Sequence, residues 1–192
     1  MVKSVVLAWG SSVSDPRDLR IATKFIANGP LLPIEFCRVS DDGRLTLAID
    51  ENFGALCKTY SASSALESLD AAMDDLRERE GIADARAIGF VEPASGRQSD
   101  FALQSHPQVV ATIAAWAESI GCDAAIWTAL ASNFDEWGNG GEPFSVSAAM
   151  QYLETLEKED GDRFALALAH IRNAPLEVET PVREEASKRW RG

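Results

Sequence analysis

The sequence predicts an α+β protein with a mixed, mainly antiparallel sheet or small barrel and flanking helices. Strand patterns of the hairpin type dominate the first third of the chain, and helical patterns dominate the last third. This arrangement favours α+β over a doubly wound parallel sheet, in which strands and helices alternate. The 192 residues and a hydrophobic fraction of 46% are sufficient for a core, and we expect a single domain over residues 1–192.

The first 60 residues have the patterns of strands joined by turns. An apolar run ending at Ala8 predicts the first strand, and a polar segment that has room for a short helix follows to Asn28. Asp42-Gly43 lies between two alternating runs, which is a strong signal for a hairpin. A further strand is predicted over residues 55–60.

A helix is predicted to start at Ser64, because Ser64 and Glu67 have the spacing of a capping box. Its apolar residues recur in steps of three and four and therefore share one face: Leu66, Leu69, Met73 and Leu76. The next step on that face reaches Glu80, and Gly81 is in the position of a helix-terminating glycine. Asp75 and Glu78 lie off this face, and we expect both to be solvated.

The second half of the chain predicts two more strands and several helices. The strands are expected over residues 85–92 and 123–130, and a helix with Pro107 near its start lies between them. A glycine-rich loop follows over residues 131–143. Three further helical patterns complete the chain, over residues 145–159, 163–175 and 180–190.

The charge of the chain limits its partners. A formal net charge of −12 and a pI of about 4.6 argue against a nucleic-acid partner, since phosphate binding needs a basic surface. The same charge argues more weakly against an anionic membrane surface. No run approaches the roughly 20 apolar residues of a membrane span, and the first residues do not have the pattern of a signal peptide. We therefore expect a cytoplasmic protein without a membrane partner.

The cysteines and histidines do not predict a metal site. The three cysteines are far apart and lack a C-x-x-C pair, and the two histidines are also far apart. Three acidic residues lie in the glycine-rich loop without the EF-hand pattern, so solvation is the better interpretation: Asp135, Glu136 and Glu142. Trp137 in the same loop is either a lid over a site or part of an ordinary surface loop.

Two segments are candidates for chemistry. The first strand ends in Trp9-Gly10-Ser11-Ser12, where glycine and small hydroxyl residues can expose main-chain N–H groups to an anion or a carbonyl. A tight turn with a serine cap explains the same residues. Glu80 is the second candidate, because a carboxylate facing a core must be paired or hydrogen-bonded. The alternative is a helix end that has left the core, where Glu80 simply meets solvent.

Together the two segments resemble the γ-glutamyl cyclotransferases. That family begins with a strand leading into Y-G-S-x-L, and "WGSSV" is similar, with Trp9 in place of the tyrosine and Ser12 and Val13 in the last two positions. The family's second landmark, L-D-x-x-E-G, resembles "LREREG", with Glu80 and Gly81 in register and Arg77 in place of the aspartate. Hairpin strands lie between the landmarks in both. The resemblance covers about the first 90 residues and looks like a bacterial branch of the family.

The resemblance implies a fold of this family and a lyase that releases 5-oxoproline and an amine from a γ-glutamyl compound. Glu80 would be the catalytic acid/base, and Trp9, Gly10, Ser11 and Ser12 would bind the substrate. One carboxylate can take a proton from the attacking amine and return it to the leaving amine, so the reaction needs no cofactor or metal. Four arginines are candidates for pairing with the substrate's α-carboxylate: Arg17, Arg20, Arg38 and Arg44.

Two other classes of function remain open from the sequence. The first is a non-catalytic small-molecule or peptide-binding protein on the same fold, which Trp9 in place of tyrosine favours. The second is a structural partner protein that uses its acidic surface. The amine of the substrate and the oligomeric state are not predicted.

Overall fold

The computed structural model describes residues 2–138 and 141–191. Within these ranges the chain forms eight strands: β1 Ser4–Ala8, β2 Leu31–Val39, β3 Leu45–Ile49, β4 Ala55–Lys58, β5 Tyr60–Ser63, β6 Ile88–Glu92, β7 Arg97–Gln98 and β8 Ala124–Thr128. The same ranges contain seven α-helices: α1 Leu69–Glu80, α2 Asp100–Ser105, α3 Pro107–Ile120, α4 Phe134–Trp137, α5 Val146–Glu159, α6 Gly161–Arg172 and α7 Pro181–Arg189.

The strands form one mixed sheet and one smaller sheet. The larger sheet has the order β5-β1-β8-β6-β7, in which β1 and β8 are parallel and the other neighbours are antiparallel. The smaller sheet has the order β3-β2-β4, with β2 and β3 antiparallel. The predicted α+β class, with mixed and antiparallel sheets and flanking helices, is therefore confirmed.

The hairpin at Asp42-Gly43 is confirmed. β2 and β3 pair from Val39 with Leu45 to Ile34 with Ile49, and Gly43 adopts a left-handed conformation with φ 81° in the connecting turn. The strand predicted over residues 55–60 is instead two strands, β4 and β5, which belong to different sheets. Thr59 separates them, and its side chain donates a hydrogen bond to the Pro30 carbonyl oxygen at 2.7 Å.

The predicted N-cap of α1 is wrong by four residues. Ser64 forms a bridge with Ile21, and its N–H donates to the Ser4 carbonyl oxygen, so it continues the sheet instead of capping a helix. Ser68 is the N-cap, and its hydroxyl accepts the Ala71 N–H at 3.2 Å. The predicted end is confirmed, because Gly81 follows α1 in a left-handed conformation with φ 66°.

The described residues form two compact units. The first comprises the chain up to Leu32 together with Lys58–Leu130, and the second comprises Pro33–Cys57 together with the chain from Ala131 onward. Neither unit is continuous in sequence, because the β2–β3 hairpin is inserted into the first unit. The expectation of a single domain stays a prediction.

The first unit is built on the larger sheet. A cluster of buried side chains joins β1, β6 and β8 to α1: Val6, Leu19, Leu69, Ala72, Leu76, Ile88, Ala124 and Ile126. Neighbouring residues of a strand point to opposite faces, so Trp127 lies on the other face of β8 from Ile126. α3 contacts both β6 and β8.

The second unit has its own core. The β2–β3 hairpin contributes Phe36, Val39 and Leu45, and the helices contribute several more buried side chains: Phe134, Leu153, Leu168, Ile171 and Val182. Phe144, between α4 and α5, belongs to the same cluster. None of the helices in the described ranges has the length and apolar character needed to cross a membrane.

Candidate active site

The candidate site lies in the first unit, where β1 delivers the Gly10 segment. All five residues of β1 are buried, since the strand is central in the sheet between β5 and β8. The chain continues through Trp9, which is 4% exposed, into a three-residue 3-10 helix, Ser11–Val13. Gly10 has φ −120°, a value that any residue adopts, so the segment does not use the special freedom of glycine.

The N-terminal N–H groups of this short helix are open. Val13, Ser14 and Asp15 donate their main-chain N–H groups to carbonyl oxygens of Gly10 and Ser11. Within the described ranges, no protein acceptor pairs with the N–H groups of Ser11 and Ser12. Unpaired donors are expected at the start of any helix, because no preceding turn supplies their acceptors.

α1 delivers Glu80 to the same segment. The Ser12 hydroxyl donates a hydrogen bond to Glu80 Oε1 at 3.1 Å, although the two residues are 68 positions apart in sequence. Ser12 is 9% exposed, and the Glu80 side chain is 25% exposed. The Glu80 side chain is therefore partly buried, between the solvent and the core. The structure brings together the two segments that the sequence singled out separately.

Arg79 is a third member of this cluster, and the sequence reasoning missed it. Its Nη2 donates to the Asp15 carbonyl oxygen at 2.6 Å, and its Nη1 lies 3.5 Å from Glu80 Oε1. Adjacent residues of a helix do not normally face each other. These two approach because both side chains reach the segment from Ser12 to Asp15.

Asp75 holds the next part of the same segment against α1. Its carboxylate accepts the main-chain N–H and the Nε–H of Arg20, both at 2.8 Å. Asp75 is 7% exposed, so the expectation that it is solvated is wrong. The hydrogen bond to Asp75 raises the pKa of Arg20 above its usual range. The C-terminal half of α1 therefore binds the segment that follows β1 through three side chains, those of Asp75, Arg79 and Glu80.

The arginines considered from the sequence have other partners. Arg17 lies 3.5 Å from the Asp15 carboxylate, and Arg20 pairs with Asp75. In the second unit, Arg38 donates to the Ala131 carbonyl oxygen and Arg44 pairs with Asp42. The only sequence signal for Arg79 was its position beside Glu80 in "REREG".

The remaining candidates do not join this cluster. Trp137 is 63% exposed and belongs to the second unit, and the predicted loop around it includes residues 139 and 140, which lie outside the described ranges. Among the described residues, no group of three or more His, Cys, Asp or Glu side chains is arranged to hold a metal ion. A cavity of about 130 Å³ lies along α1 beside Asp70, Met73 and Arg77, and its lining does not include Ser12 or Glu80.

Comparison with known proteins adds no name to this site. No family model, no curated protein and no solved structure matches the chain.

Proposed function

We propose that this chain is a γ-glutamyl cyclotransferase-like lyase, which converts a γ-glutamyl compound into 5-oxoproline and a free amine. The observation that supports the proposal best is the hydrogen bond between Ser12 and Glu80. The resemblance in sequence requires the Gly-Ser segment after β1 and the glutamate at the end of α1 to act on one substrate. The hydrogen bond supports the proposal because it brings the two segments together, although they lie 68 positions apart in sequence.

The proposed reaction is an intramolecular acyl transfer. The α-amine of the γ-glutamyl group attacks its own γ-carbonyl carbon, a C–N bond forms, and the bond to the leaving amine breaks. Glu80 takes the proton that the attacking amine loses and gives it to the leaving amine, so the carboxylate is unchanged after each turnover. Proton transfer by one side chain is sufficient for this chemistry, and no cofactor enters the scheme.

The Gly10 segment would bind the polar groups of the substrate. The N–H groups of Ser11 and Ser12 have no acceptor among the described residues, and such donors stabilise a carboxylate or a developing oxyanion. Ser12 would keep the carboxylate of Glu80 oriented. Trp9, which is 4% exposed, joins β1 to the segment. We also propose that the chain has the fold of this family. The support is the order of β1, the β2–β3 hairpin and α1 along the chain.

A second candidate function is a non-catalytic binding protein on the same fold. One observation favours it: Oε1 of Glu80 accepts the Ser12 hydroxyl and also lies 3.5 Å from Arg79 Nη1. A substrate that approaches this oxygen has to displace one of these two contacts. The same contacts are compatible with catalysis if the substrate's amine replaces one of them.

The test is formation of 5-oxoproline by wild type and Glu80→Gln, measured by mass spectrometry with γ-glutamyl dipeptides, γ-glutamylamines and glutathione. Glutamine keeps the shape of the side chain and cannot accept the proton, so we expect product from wild type only. Glu78→Gln is the matched control, because Glu78 lies on the same helix and is exposed. Ser12→Ala should lower kcat by about 5- to 10-fold, the effect of losing one hydrogen bond.

The other outcomes separate the two candidates. Product from both wild type and Glu80→Gln would keep the enzyme and remove Glu80 from its mechanism. If folded wild type gives no product with any compound but binds one of them in calorimetry, the chain is the binding protein of the second proposal.

A further inference from the structure

Arg79 is a buried cation with few partners. Its side chain is 4% exposed, and its Nε is buried without a hydrogen-bond partner among the described residues. A guanidinium carries five N–H donors. The described contacts are one hydrogen bond to the Asp15 carbonyl oxygen and the approach of Glu80 at 3.5 Å, which is longer than a normal hydrogen bond.

This arrangement is unfavourable for a residue with only a structural role. Buried donors are paired in the great majority of cases, and a buried charge is costly unless it is well compensated. An unpaired buried donor in a native structure therefore needs an explanation, and an acceptor supplied by a ligand is one. An anion that brings two oxygens would pair with the planar guanidinium in a bidentate manner.

The other arginines of the first unit do not share this feature. Each pairs with a carboxylate, and all but one of their side chains are at least 60% exposed: Arg17, Arg20, Arg77, Arg86 and Arg97. Arg77, at 29% exposed, is the exception, and its partner is Asp74. Arg79 alone among these described arginines combines burial with unused donors.

We infer that Arg79 and Glu80 together bind the α-amino acid head group of the substrate, with Arg79 taking the α-carboxylate and Glu80 the α-amine. The inference rests on the proposed function. A guanidinium and a carboxylate 3.5 Å apart are the chemical complement of a carboxylate and an ammonium on one carbon atom. Binding of the α-carboxylate by Arg79 places the attacking amine at the group that must take its proton.

The two side chains of the pair differ in exposure. Glu80 is the more exposed of the pair, with 25% of its side chain accessible. The chain carries a formal net charge of −12, so a carboxylate needs a local positive charge to bind, and Arg79 supplies one beside Glu80. Arg79 is therefore a specificity-determining residue, and the substrate class is γ-glutamyl compounds with a free α-carboxylate.

The experiment combines two substrates with two proteins. The substrates are the panel compound that yields most 5-oxoproline and the same compound with its glutamyl α-carboxylate converted to the carboxamide. The proteins are wild type and Arg79→Met. For the acid we expect Arg79→Met to lower kcat/KM by about 10- to 100-fold, the effect of losing a charged hydrogen bond. For the carboxamide we expect a loss of less than about 3-fold, because its neutral amide group does not form a charge-assisted pair with the guanidinium.

Two further variants keep the test interpretable. Arg77→Met removes an arginine of the same helix that pairs with Asp74, and it should leave the ratio between the two substrates unchanged. Arg79→Lys keeps the positive charge and should recover part of the preference for the acid. If Arg79→Met does not fold, the same comparison is made with Arg79→Lys, whose preference must fall below that of wild type.

Each remaining outcome decides the inference. An equal loss for the acid and the carboxamide would show that Arg79 only supports the fold, and the inference would be overturned. If wild type forms no product, the same comparisons are made by calorimetry with γ-glutamyl-alanine and its carboxamide. Weaker binding of the acid alone to Arg79→Met would then support the inference while the proposed activity fails. No binding of either compound to wild type would overturn both.

Discussion

At the scale of single residues, Gly89 of β6 lies directly opposite Trp127 of β8 in the larger sheet. A Cβ atom at Gly89 would lie 2.5 Å from Cε2 and 2.8 Å from Nε1 of the buried indole. We expect Gly89→Ala to lower the free energy of unfolding by about 1–3 kcal/mol, because the ring has no space to move. Urea denaturation followed by circular dichroism measures the change.

Two comparisons test whether the steric clash with Trp127 causes the destabilisation. Gly161→Ala, at the start of α6, meets no atom within 4 Å and should be neutral or slightly stabilising. In a Trp127→Phe background, where the side chain is smaller, Gly89→Ala should be less destabilising. Equal destabilisation by Gly89→Ala in both backgrounds would contradict the steric explanation.

The residues of the candidate site differ in how far the sequence predicts them. Glu80 was predicted, because it continues an apolar face and precedes Gly81. Asp75 and Arg79 were not, because their partners Arg20 and Asp15 lie 55 and 64 positions away. Periodicity within one helix describes which face a residue occupies, but it carries no information on a distant loop that packs against that face.

At the scale of elements, a buried carboxylate connects β2 and α7 in the second unit. Glu35 is fully buried, and its two oxygens accept the N–H groups of Phe36 at 2.7 Å and Val182 at 3.2 Å. Burial raises the pKa of Glu35 above its ordinary value, and the nearby Asp50 adds to the effect, whereas hydrogen bonds from Thr180 and the two N–H groups act against it.

The raised pKa predicts the sign of a pH effect on stability. The folded protein holds the proton of Glu35 more tightly than the unfolded chain, so this stabilising contribution is complete below the unfolded value of 4.5 and is lost as the pH rises through the folded pKa. The unfolding free energy of wild type minus that of Glu35→Gln should therefore decrease with rising pH. Urea denaturation between about pH 4 and pH 8 measures this difference.

Glu184, a carboxylate on α7, supplies the control. Glu184 is exposed, and its hydrogen bond with Lys188 lowers its pKa. Its stabilising contribution is present above the unfolded value and is lost as the pH falls. The unfolding free energy of wild type minus that of Glu184→Gln should therefore increase slightly with rising pH, the opposite trend to Glu35→Gln. A pH-independent difference for Glu35→Gln would contradict the role assigned to Glu35.

The elements themselves were predicted well where local chemistry decides. The hairpin at Asp42-Gly43 and the end of α1 follow from glycine and turn residues, and the structure confirms them. The start of α1 was not predicted, because Ser64 and Ser68 are both suitable caps and only the pairing of Ser64 with the sheet decides between them. The division at Thr59 depends in the same way on a partner outside the local sequence.

At the scale of the whole molecule, the sequence predicts the α+β class but not the two units. The chain crosses between them three times, after Leu32, Cys57 and Leu130, and no linker composition marks these points. The reason is physical, because the core in which a residue is buried depends on packing partners that lie far away in sequence. Phe36 and Val182 share one buried cluster, for example.

This interleaving predicts the result of a truncation. A chain ending at Leu130 keeps the β2–β3 hairpin but loses α5, α6 and α7, against which Phe36 and Leu45 are fully buried. We expect the truncated chain to bind a hydrophobic dye and to aggregate, because exposed apolar strands associate with one another. Co-expression of residues 131–192 should restore solubility if those helices cover the hairpin. A soluble, dye-negative truncated chain with the thermal transition of the full-length protein would contradict the core described for the second unit.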